Sequence, residues 1–76
     1  MMPRKMALKR LEGLAPQVEA HLEKIAKQPL SRDVPHWRTE IRTWLRDMEA
    51  VVGATGEKTG AQWTARIRAW QRTLGE

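Results

Sequence analysis

The sequence predicts an all-α protein: a small three-helix bundle with a short extra N-terminal helix. Two stretches repeat each other. Trp37-Arg38-Thr39-Glu40-Ile41-Arg42-Thr43-Trp44-Leu45-Arg46 recurs as Trp63-Thr64-Ala65-Arg66-Ile67-Arg68-Ala69-Trp70-Gln71-Arg72, with Trp, Ile, Arg, Trp and Arg matching in order. In both copies Trp, Ile and Trp are spaced four then three, which sets them on one side of an α-helix. Val18, Leu22 and Ile25 keep that spacing without the Trp or Arg. No segment alternates apolar and polar residues with the period of a strand.

The first expected element covers residues 4–12, a short basic amphipathic helix with Met6, Leu8 and Leu11 among its apolar members. Gly13 and Pro16 follow. Proline is tolerated in the first turn of a helix and disfavoured in its interior, so a break is expected at 13–15 and a second helix over 16–27. Residues 1–12 are then expected to be the least firmly held part, packing only through Leu8 or Leu11. Pro29 and Pro35 bracket a turn, with Asp33 as an N-cap for a helix over 35–52. That helix carries a wide apolar stripe at 37, 41, 44, 45, 48, 51 and 52. Gly53 fits a left-handed position just past its end. Thr59 and Gln62 fit a capping box for the last helix, over 60–74, with Trp63, Ile67, Trp70 and Leu74 as its buried seam. Trp44 and Trp70, central in their stripes, are expected to be buried close together.

The chain has 76 residues, enough for one domain. A domain of this size buries only about 60% of its unfolded-chain surface, so large core side chains matter. Four Trp supply them, and Phe and Tyr are absent. Cys is absent too, which excludes disulfides, thiolate metal sites and thiol catalysis. The lack of disulfide staples in so small a domain points to a cytoplasmic location. The basic start, Met1 to Arg10, is not followed by an apolar run, so neither a signal peptide nor a membrane span is expected. The net charge of +5 comes from 14 basic and 9 acidic residues mixed along the chain. That excess permits attraction to nucleic acid or anionic lipid without establishing either.

Few residues offer chemistry. Gly56-Glu57-Lys58-Thr59-Gly60 has the Lys-Thr of a phosphate-binding loop, but Glu57 would repel phosphate and a helix, not a strand, precedes it. It reads as a capped helix connection. Glu19 and Glu23 flank His21 at two-residue spacing, which points them to other faces, and His36 stands at a helix start beside Trp37; both read as boundary or solvent-facing residues. The Trp residues stand in register with Ile, Leu and Val, which makes them core before they are base-stacking platforms. The loop between the two repeats is too long for a helix-turn-helix. No catalytic constellation, metal site or cofactor site emerges, so the protein is not expected to be an enzyme or to carry a cofactor.

The arginines carry more information. Arg38, Arg42 and Arg46 lie four apart along one flank of their helix, with Glu40 and Asp47 on the opposite flank. Arg68 and Arg72 occupy the matching angular positions of the last helix. If these two helices pack side by side, the five arginines join in one basic face able to position phosphates or meet an acidic partner. The alternative is an ordinary solvating surface, since charged stripes are common on amphipathic helices.

His21-Leu22-Glu23-Lys24, then Gln28-Pro29, then Trp37-Arg38-Thr39-Glu40-Ile41-Arg42 resembles a stretch of the bacterial helical family called domain of unknown function number 29. The resemblance covers residues 21–46. The basic Met1–Gly13 stretch departs from that family's more acidic N-terminal part. The resemblance implies a bacterial or phage source and an all-helical fold. The family has no assigned activity, so it implies no functional residue.

Read as a whole, the sequence points to a small cytoplasmic interaction module that binds another protein or itself, with possible homo-oligomers. The alternative is a nucleic-acid-binding protein that uses the arginine-lined face.

Overall fold

A computed structural model describes residues 2–75. Among them the regular structure is entirely helical. Three α-helices follow one another: α1 (Arg4–Lys27), α2 (Val34–Val52) and α3 (Glu57–Leu74), with a 3-10 turn over Gly53–Thr55 between the last two. The body is elongated, 40 × 18 × 15 Å, in keeping with the length of α1. The helices alternate in direction. Arg10 of α1 meets Asp47 of α2, and Lys24 of α1 meets Trp37 of α2. Arg4 of α1 meets Thr59 at the start of α3.

The core follows from the stripes. Ala7, Leu11, Ala15 and Val18 are buried on α1; Ile41, Leu45, Met48 and Val51 on α2; Trp63, Ile67 and Leu74 on α3. The sets recur at intervals of three, four or, between Ile67 and Leu74, seven residues, the spacing of one helix face. The principal interface is α1 on α2. There the small Ala7 and Ala15 present little side-chain bulk to the core.

Three expectations are corrected. The short N-terminal helix over 4–12 and the break at 13–15 are not found, because α1 runs unbroken from Arg4 to Lys27 with Pro16 inside it. Leu11, Ala15 and Val18 are buried on both sides of the suspected break, and their burial outweighs the local preference of Gly13 and Pro16. The carbonyl that loses its bond to the Pro16 nitrogen belongs to Glu12, an exposed residue within reach of water. Residue 1 lies outside the described residues, and residues 4–12 are not a loose appendage: Ala7 and Leu11 are both 0% exposed.

The caps also differ. Asp33 makes no side-chain capping bond, and α2 starts at Val34 with Pro35 in its first turn. Gly53 has φ −60°, so it continues into the 3-10 turn instead of reversing the chain. The reversal falls to Gly56, at φ 94°, where α3 begins three residues earlier than the Thr59 capping box implied. Glu57 in that first turn places a carboxylate at the positive end of the helix dipole. Gly75 takes a left-handed cap at φ 91°, and its N–H meets the carbonyls of Arg72 and Gln71.

The tryptophans divide differently from expectation. Trp63 is buried, whereas Trp44 and Trp70 are half-buried and flank the core. Trp44 turns toward α1 and meets the His21 ring edge-on, with centroids 4.7 Å apart. Trp70 packs against Arg66 of its own helix.

Candidate functional site

The two flanks of α2 separate its charges. The flank bearing Glu40 and Asp47 faces α1. Asp47 pairs with Arg10 at 3.5 Å. Glu40 reaches His36 on its own helix at 2.8 Å and His21 on α1 at 3.7 Å. The His21 Nδ1 lies 3.1 Å from the Gln17 carbonyl, which can only accept, so Nδ1 donates. Much of the acidic charge of α2 is thus drawn toward α1, away from the arginine flank.

That arginine flank faces α3. A surface groove runs between the two helices in two adjoining parts. One part, about 380 Å³, is lined by Glu49, Val52, Thr64, Ile67, Arg68 and Gln71. The other, about 220 Å³, is lined by Arg42, Leu45, Arg46, Glu49 and Gln71. Leu45, Val52 and Ile67 supply apolar lining, while Arg42, Arg46 and Arg68 bring cationic side chains to the same groove. Glu49 and Gln71 belong to both parts and are bonded to each other at 2.6 Å, forming a bar across the middle.

The candidate arginines are therefore only partly united. Arg42, Arg46 and Arg68 border this groove. Arg38 lies beyond its end, with Nη2 3.8 Å from where a Cβ on Gly75 would sit. A guanidinium there suits the negative C-terminal end of the α3 dipole. Arg72 is exposed in the last turn of α3 and is not part of the groove lining.

Two residues were not singled out from sequence. Arg66 lies with Cζ 4.4 Å from the centroid of Trp63 and 5.0 Å from that of Trp70. Its positions three after one Trp and four before the other are the signal that could have revealed it. Glu49 is the other, and only the packing of α3 on α2 brings it to the middle of the groove. The remaining Trp rings also have close neighbours: His21 stands against Trp44, and Lys24 Nζ lies 5.7 Å from the Trp37 centroid.

Among the described residues, no three His, Asp or Glu side chains converge as a metal site. No helix is long and apolar enough to cross a membrane. No protein-family model, curated protein or solved structure matches the chain.

Proposed function

We propose that the chain is a three-helix bundle serving as a small interaction module, which binds another protein through the groove between α2 and α3. The observation that carries this reading is the combination of an apolar lining with cationic residues. Val52 offers a half-buried apolar surface over the buried Leu45 and Ile67, while Arg42, Arg46 and Arg68 favour carboxylates beside it. Glu49 in the middle disfavours a continuous track of phosphates. Base stacking would also have to displace Arg66, His21 or Lys24 from the Trp rings they meet. We take the module to be cytoplasmic and non-enzymatic, with residues 21–46 related to the bacterial family they resemble.

Affinity capture from cells, with and without nuclease, tests this reading against nucleic-acid binding. The expected result is one protein retained equally in both conditions and lost on Arg42→Glu/Arg68→Glu. Retention that disappears with nuclease, or sub-micromolar binding of an oligonucleotide at physiological salt, would overturn it.

A further inference from the structure

The outward face of the first turns of α1 is separate from the groove and opposes local electrostatics. Lys5, Lys9 and Arg10 place three cations on this face, and Arg4 stands beside it toward α3, with no acidic residue in the first turn. A helix N-terminus already carries a partial positive charge, so Arg4 and Lys5 in the first turn work against it. Compensation within the fold is slight. Arg10 reaches Asp47 at 3.5 Å with both side chains about half exposed, and Arg4 meets only the Thr59 hydroxyl, at 3.4 Å. Among the described residues, Lys5 and Lys9 make no ion pair or hydrogen bond.

An apolar feature lies among these cations. Met6 is 58% exposed, and with Met2, Lys9 and Arg10 it lines a shallow surface pocket of about 300 Å³. Met6 and Lys9 lie on the side of α1 opposite Ala7 and Leu11, so the core has no use for them, while Met2 is half-buried against the core beside them. Such a conflict between local preference and fold is expected where a surface serves a purpose beyond folding.

We propose that this face docks reversibly on an anionic lipid surface. Unbranched methionines can enter the headgroup boundary without needing a shaped partner, and the lysine stems can keep their ammonium groups among the lipid phosphates. A phosphate backbone of nucleic acid would satisfy the cations but leave the exposed Met6 without a counterpart. A protein interface of standard size takes roughly 20–30 residues a side, far more than this patch provides.

The test is co-sedimentation of the intact chain with vesicles of phosphatidylcholine alone or with about 30% phosphatidylserine, at physiological salt. The expected result is at least roughly fivefold more binding to the anionic vesicles, falling steeply as salt rises. Lys5→Glu/Lys9→Glu should reduce binding to the phosphatidylcholine level. Met6→Ser should lower it severalfold without altering its salt dependence. Arg42→Glu/Arg68→Glu changes net charge equally on another face and should retain most of the binding. All these positions are exposed, and circular dichroism checks that each variant is folded. Absence of enrichment on anionic vesicles would overturn the proposal. So would equal loss in the two charge-reversal variants, or a Met6→Ser variant that binds like the parent.

Discussion

Gln71 donates a 2.6 Å hydrogen bond to Glu49, linking α3 to α2 across the groove that the arginines border. The bond holds in the middle of the groove a carboxylate that would otherwise be free to reach the neighbouring guanidinium groups. It also divides the apolar lining, leaving Leu45 in one part and Val52 and Ile67 in the other. An occupant of the whole groove must cross this bar or replace its bond.

Glu49→Ala removes the only carboxylate among the described groove-lining residues. The side chain is exposed, so the stability cost should not exceed about 1 kcal/mol. The variant should leave a heparin column at higher salt than the parent, and Arg68→Ala should leave at lower salt. Unchanged elution of Arg68→Ala would show that Arg68 does not share a basic face with Arg42 and Arg46.

Leu11→Ala tests the N-terminal half of α1. The side chain is 0% exposed, and its removal should cost about 2–5 kcal/mol in denaturant melts. Leu30, 97% exposed in the turn before α2, provides the contrast: Leu30→Ser should stay within about 0.5 kcal/mol of the parent. Equal midpoints for the two variants would contradict the continuous core of α1.

Leu11 also shows where sequence reasoning reached its limit. The stripes through Ile41, Leu45 and Met48 and through Trp63 and Ile67 were legible because helical periodicity is a local property. Gly13 and Pro16 looked like a boundary because their preferences are local too, while the burial that overrides them depends on the other helices. The loop glycines were visible as a cluster, yet spacing did not reveal that Gly56, and not Gly53, takes the positive φ. Arg42, Arg46 and Arg68 could be placed on flanks by angle alone. Glu40 as the neighbour of His21, and Glu49 as the centre of the groove, required the packing of whole helices.

Two glycines inside helices should respond oppositely to alanine. A Cβ on Gly13 meets nothing within 4 Å, so Gly13→Ala should stabilise α1 by about 0.5–1 kcal/mol. At Gly60 the added carbon would lie 3.2 Å from the Val52 carbonyl oxygen and 3.4 Å from Thr55 Oγ1. Thr55 is itself 0% exposed and donates to that same carbonyl at 2.7 Å, so the neighbours have little room to yield. Gly60→Ala should therefore lower the melting temperature, and a rise would show that the turn can shift.

Near the end of α1, Lys27 lies 2.9 Å from Glu23. Its hydrogen bond and charge hold the Glu23 carboxyl below its ordinary range, and Glu23 in turn raises Lys27. The Glu23 contribution is present above the unfolded carboxyl pKa and lost as pH falls through the folded one. The Lys27 contribution is present below its unfolded pKa and lost as pH rises through the folded one. Both groups are fully exposed, so the pair should matter little. Glu23→Gln should melt close to the parent at neutral pH and show a slightly weaker decline in acid; a large neutral-pH loss would require a further role for Glu23.

The two halves of the sequence repeat should differ in how much they contribute to stability. Trp63 is 8% exposed and belongs to the core, whereas Trp44, in the other copy, is half-buried and flanked by His21. Trp63→Ala removes a large core side chain and also one of the two rings facing Arg66, so it should cost about 3–5 kcal/mol. Trp44→Ala should cost less, because part of its surface already faces water and the His21 edge contact adds only about 0.5–1.5 kcal/mol. Chemical denaturation of both variants checks this order. A Trp44→Ala variant less stable than Trp63→Ala would show that burial does not set the order of the two side chains.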